Sequence, residues 1–220
     1  MPRLPRLAWT ALGVAALLLP APLSAQYFGQ NKVHYEAFDF KIIQTEHFDV
    51  YYFDEIRTAA LDAARMAERA YARLSRILNH QFRGRKPIIL YASYSQFEQT
   101  NVADVGEGTE GVTEFFKHRM VLPLMGNYAQ FEHVLQHEMV HQFQYDVFAR
   151  GRVGSGLQTL INVNPPLWFM EGMAEYLSIG PINVETAMWM RDAAVEGRVP
   201  TIEQLTYDPS FFPYRFGHAL

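Results

Sequence analysis

Apolar residues recur along this chain with two different periods, and the change between them divides it. Phe38–Thr45 and His47–Phe53 are rich in aromatic and β-branched residues, which predicts two strands with a tight turn near Glu46. From Glu55 to Leu78 the period is helical: Ile56, Ala59, Ala60, Ala63, Ala67, Ala70, Tyr71, Leu74, Ile77 and Leu78 share one face. The Arg and Glu residues of that helix fall on the other face and are expected in solvent. Pro87–Ala92 reads as a buried strand and Tyr94–Thr100 as a short helix. The Gly- and acid-rich Asn101–Gly111 reads as a loop. Gly111–Phe116 and His118–Pro123 read as a hairpin.

Beyond Gly126-Asn127, a turn, helical spacing takes over. It predicts helices over Tyr128–Phe148, Leu167–Ser178 and Met188–Val195, the last stopped by Gly197, with a Gly/Pro loop over Gly151–Pro166. Tyr214–Leu220 reads as the opening of a further helix without a C-cap signal, so the chain is expected to be the N-terminal piece of a longer protein. The fold class expected is α+β: a twisted mixed sheet with a long helix, then a mainly helical half.

The first 25 residues belong to neither half. Arg3 and Arg6 precede an apolar run from Leu7 to Leu19, then Pro20 and the small pair Ser24-Ala25. This is the layout of a secretory signal cleaved after Ala25, and the run is short for a bilayer span. Residues 26–220 would form the mature domain, exported to a bacterial periplasm or envelope or secreted, with no integral membrane span after cleavage. Without Arg3 and Arg6 the 19 basic residues fall to 17 against 23 acidic, a net charge of −6. Nothing in that balance suggests a nucleic-acid partner. The chain has no Cys, so disulfides, thiolate metal sites and a lipid-modified cysteine are excluded.

The candidate chemistry lies in the helical half. His137-Glu138-Met139-Val140-His141 reads H-E-x-x-H. Residues four apart share a helix face, so both imidazoles can meet one zinc ion, with Glu138 beside the open coordination position. A hydrolytic zinc site takes a third protein ligand. Trp168-Phe-Met-Glu171-Gly-Met-Ala-Glu175-Tyr176 offers two carboxylates on one face, with small residues that permit close helix packing. Either Glu171 or Glu175 could complete the set.

These two motifs together resemble the gluzincin group of zinc metallopeptidases, the thermolysin-like peptidase MA clan, in particular its exported bacterial members with an E-G-x-A-E second motif. The resemblance covers His137–Tyr176 in its motifs and the preceding elements more loosely. It implies a zincin-like fold, Zn2+ as cofactor, His137, His141 and Glu171 as ligands, and Glu175 behind a ligand histidine. It implies hydrolysis of a peptide or protein substrate by a metal-activated water, with Glu138 as general base. Tyr214 and His218 are candidate oxyanion donors. The Gly111–Pro123 hairpin is a candidate edge strand for an extended peptide. Resembling proteins often carry further C-terminal domains. Two alternatives stay open: an exported binding or scaffold module that retains the zinc site, and a zinc hydrolase of non-peptide amides. His133 reads as a polar neighbour of the pair. His34, His47, His80 and His118 are expected at surface or turn positions, and Trp168 and Phe169 in the core.

Overall fold

The structure, a computed structural model, describes residues 36–99, 109–114, 117–149, 165–208, 210–211 and 213–220. The expected signal segment 1–25, His34 and most of the two expected loops lie outside them. Strands β1 (Lys41–Gln44), β2 (Phe48–Tyr52), β3 (Lys86–Tyr91), β4 (Val112–Glu114) and β5 (Arg119–Pro123) form one sheet in the order β1-β2-β3-β5-β4. Both outer pairs are antiparallel and the two central pairings are parallel. The parallel link from β2 to β3 runs through the long helix α1 (Arg57–Ile77), as a crossover between parallel strands requires. A 3-10 turn over Asp54–Ile56 precedes that helix. Helix α2 (Tyr94–Glu98) starts at Ser93, whose side chain accepts from the backbone N–H of Gln96, a normal N-cap.

The second half is helical: α3 (Tyr128–Ala149), α4 (Leu167–Ile179), α5 (Val184–Val195), α6 (Ile202–Tyr207) and α7 (Pro213–Ala219). The fold is thus α+β, a five-stranded mixed sheet with seven α-helices among the described residues. No described helix is long and apolar enough to cross a membrane.

Burial explains how α3 is placed. In β2 and β3 alternate residues are buried, the pattern of a sheet packed mainly on one face. Phe48, Val50, Ile88, Leu90, Met120 and Leu122 meet the alanine-rich face of α1 (Ala60, Ala63, Ala67, Ala70) and Leu135, Met139 and Phe143 of α3. The small α1 residues let the two helices lie side by side on the sheet. Asn127 caps α3, its Oδ1 accepting from the Ala129 N–H at 2.8 Å. At the far end Asp146 accepts from Lys86 Nζ at 2.6 Å and pairs with His80 Nε2 at 2.7 Å, all three buried. Burial would raise the Asp146 pKa, but these two partners hold it below its ordinary value. The sequence expectation for His80 is therefore corrected: it is buried, as the partner that a carboxylate under the sheet requires.

Some helical expectations also shift. Helix α5 begins at Val184 rather than Met188, because Asn183 Oδ1 caps it by accepting from Thr186 N–H at 2.9 Å. Helix α6 was not expected. Its signal is the capping box of Thr201 and Gln204, S/T-x-x-E/Q in form. Trp168 packs with Ala193, Leu205 and Phe216 and donates its indole N–H to Thr206 Oγ1 at 3.0 Å. Phe169, expected in the core, is 44% exposed, because neighbours on a helix point in different directions.

Candidate metal centre

Helix α3 carries His133, His137 and His141 one turn apart, and α4 packs across it with Glu171 and Glu175 facing inward. Three atoms converge. His137 Nε2 and His141 Nε2 are 3.1 Å apart, and each is 3.2 Å from Glu171 Oε2. All three residues are buried. Zinc bonded at about 2.0–2.1 Å to tetrahedral donors sets them about 3.3–3.4 Å apart, close to the triangle found. Two imidazoles and one carboxylate are also a donor set for a divalent transition metal. The group could hold a metal ion.

The other ring nitrogens decide which atoms face the triangle. Gln144 Nε2 donates to the Met170 carbonyl at 3.0 Å, so its Oε1 must face His141 Nδ1, 2.8 Å away. A carbonyl oxygen there requires Nδ1–H on His141, which leaves Nε2 as a lone pair for a cation. His137 Nδ1 lies 3.2 Å from Glu175 Oε1, an ion-pair contact with poor hydrogen-bond alignment. Glu175 is held from its other side, where Oε2 accepts from Arg215 Nη1 at 3.0 Å. A second Arg215 nitrogen meets Glu185. The structure thus brings Glu171 to the triangle and places Glu175 behind His137.

Glu138 stands beside the triangle without joining it. The single hydroxyl proton of Thr113, in strand β4, is shared between Glu138 Oε2 at 2.6 Å and the Glu138 carbonyl at 2.9 Å. No hydrogen bond among the described residues takes up Oε1. Glu138 lines a cleft of about 420 Å³ with Thr109, Glu110, Gly111, His133, Val134, His137, Glu175, Tyr214 and Arg215. Among the described residues, strand β4 is at the edge of the sheet. Gly111 lets it approach α3, since a Cβ there would sit 2.7 Å from Leu122 Cδ2 and 3.0 Å from Glu138 Cγ.

The two oxyanion candidates separate. Tyr214 lines the cleft and its ring stacks on His137, centroids 5.9 Å apart. Burial, reinforced by Glu171, Glu138 and Glu175, pushes its phenol above the ordinary range, so it keeps its proton at neutral pH. His218 is not among the cleft residues. Its Nδ1 is 2.8 Å from Thr186 Oγ1 and its Nε2 is 2.7 Å from the Gly180 carbonyl, so it ties α7 to α5 and to the end of α4. Thr113, Gln144 and Arg215 were not singled out from the sequence. His133, a polar neighbour as expected, has Nε2 3.7 Å from Glu175 Oε1.

Without a cation the cluster is held by protons. Burial opposes charge on His137, but Glu171, Glu175 and Glu138 outweigh it and push its pKa from 6.5 to about 10. Burial likewise opposes ionisation of Glu171, but the two histidines bring it from 4.5 down to about 2. A raised histidine stabilises the fold fully below 6.5 and loses that contribution as pH climbs through about 10. A lowered carboxyl stabilises fully above 4.5 and loses it as pH falls through about 2. In chelator-treated protein the cluster's contribution will therefore be greatest between about pH 4.5 and 6.5. A metal ion needs neutral imidazoles, so a divalent cation held by the cluster would move the optimum above that window. Thermal unfolding across pH, with chelator and with zinc, checks this; identical profiles would refute it.

No family model, curated protein or solved structure matches the chain.

Proposed function

We propose that this chain is an exported zinc-dependent peptidase domain with a zincin-like fold of gluzincin type. The observation that carries this reading is the buried triangle of His137, His141 and Glu171 with Glu138 beside it on an open cleft. His137 Nε2, His141 Nε2 and Glu171 Oε2 would hold the ion. Bound there, zinc would supply Lewis acidity to a carbonyl oxygen and lower the pKa of a nearby water.

The chain's own residues do the rest. Glu138, oriented by Thr113, takes a proton from the attacking water and delivers it to the leaving amine. Tyr214, which lines the cleft and keeps its proton at neutral pH, is the candidate to donate to oxygen as negative charge develops there. Gln144 holds the His141 imidazole in its working tautomer, and Glu175 sets a negative charge beside His137. The outer side of β4 offers main-chain groups to an extended peptide, which would bring a peptide bond past Glu138. The leader-like N-terminus supports export.

The test is the metal content of the purified mature chain beside a Glu171→Ala variant, followed by cleavage of a mixed peptide library. About one zinc per chain is expected, clearly weakened in the variant, with peptides cut by the wild type. Failure to take up metal after zinc loading would overturn the metal reading. A zinc-loaded protein that leaves every peptide intact would remove the peptidase reading, and activity on small amides would then identify a non-peptide hydrolase.

A further inference from the structure

We propose that Glu110 makes this cleft selective for a cationic group on the substrate, a lysine or arginine side chain or a free α-amine, next to the bond to be cut. The inference rests on the peptidase reading of the same site.

Glu110 precedes the glycine that presses against Glu138. A Cβ on Gly111 would meet Glu138 Cγ and Val134 Cγ1 at 3.0 Å each, so Glu110 enters the cleft one residue from that contact. Gln130 Nε2, from the first turn of α3, donates to Glu110 Oε1 at 2.9 Å. This steadies the carboxylate at the rim, where it stays exposed.

The other charges along the wall are already matched. Glu175 is paired with Arg215, and Arg215 also meets Glu185, so this guanidinium is not left over for an anionic substrate group. Glu138 faces the ion site and Thr113. Among the described lining residues, Glu110 and Glu138 are the carboxylates with no Lys or Arg partner; Glu138 is turned to the ion site, and Glu110 has only the His133 ring, whose pKa burial lowers, within electrostatic reach. Across the same described lining, the three carboxylates Glu110, Glu138 and Glu175 stand against the single guanidinium of Arg215. A concave surface of one sign draws in substrates of the other. Val134 and the Tyr214 ring, also in the lining, suit the apolar stem of a long cationic side chain.

The experiment uses zinc-loaded protein and matched peptides, with Lys against norleucine at each position near the scissile bond, and free against acetylated N-termini. Lys peptides should show kcat/KM on the order of fivefold above their norleucine partners, the scale of one partly exposed ion pair. Added salt should shrink the ratio. Glu110→Gln should bring it to parity and Glu110→Lys should favour Glu-containing peptides, both with wild-type zinc content and melting temperature. A preference that follows acetylation instead of the Lys exchange would assign the free α-amine as the cation recognised. Equal rates on all pairs, or a Lys preference that survives Glu110→Gln, would overturn the proposal while leaving the peptidase reading in place. Bound zinc with no cleavage of any peptide would overturn both.

Discussion

Replacing Glu138 by Gln will leave about one zinc per chain and remove nearly all peptide hydrolysis. The two effects separate because Glu138 lies outside the donor triangle formed by His137, His141 and Glu171. Gln has the same shape, and its carbonyl can still accept from the Thr113 hydroxyl, so the β4–α3 contact survives. What it lacks is a basic oxygen. General-base catalysis contributes about 10²- to 10⁴-fold, and the loss in kcat should fall in that range with KM little changed. Elemental analysis and steady-state kinetics on the same preparation are the check. A variant that loses its zinc would show that Glu138 is a ligand, and one that keeps its rate would show that the base lies elsewhere.

The second large effect comes from a position with no chemistry of its own. Gly217, in α7, lies against the backbone of α4: a Cβ there would sit 2.0 Å from the Trp168 carbonyl oxygen and 3.0 Å from Gly172 Cα. Gly172 faces the same contact, its Cβ position 2.3 Å from the Gly217 carbonyl carbon. Backbone cannot turn aside as a side-chain tip can, so Gly217→Ala must push α7 off α4. Overpacking of this kind costs about 1–3 kcal/mol or more. The displaced helix carries Arg215, which steadies Glu175, and Tyr214, which covers His137. Losing support behind a ligand histidine typically weakens metal affinity about 10- to 100-fold. A lowered melting temperature together with weaker zinc binding in a chelator competition is therefore expected. Gly126→Ala, where a Cβ would meet nothing within 4 Å, should change neither. Wild-type stability and affinity in Gly217→Ala would refute the close contact.

How much of this was legible beforehand follows from what is local. His137 and His141 are one helical turn apart, so their convergence is a property of α3 alone and could be read from spacing. Glu171 and Glu175 were legible as a pair, but their division of labour depends on how α4 rotates against α3, and only the resemblance separated them. Thr113 was invisible because its link to Glu138 needs the edge strand, the sheet order and the Gly111 approach all in place. Arg215 was invisible for the same reason, since its partners Glu175 and Glu185 come from two other helices. His218 shows the converse. It sits four residues after Tyr214, yet its ring nitrogens turn to Thr186 and Gly180. His80 was misplaced because Asp146, which explains its burial, lies 66 residues away. Helix α6 is different: its Thr201–Gln204 capping box is local and legible in the sequence.

The groups that face the two imidazoles depend on one neighbouring helix. His137 is faced by Glu175, a residue of α4, and His141 by Gln144, whose amide is turned by the Met170 carbonyl, also of α4. Glu171 itself is on α4 as well. Until α4 docks, α3 offers two loosely oriented rings and no third donor. Whatever free energy a cation gains by finding the docked arrangement must, by reciprocity, be returned as stability of the docked helix. Uptake of an ion by this cluster and the seating of α4 would therefore be coupled, and a divalent cation bound there would add to what holds this half of the molecule together.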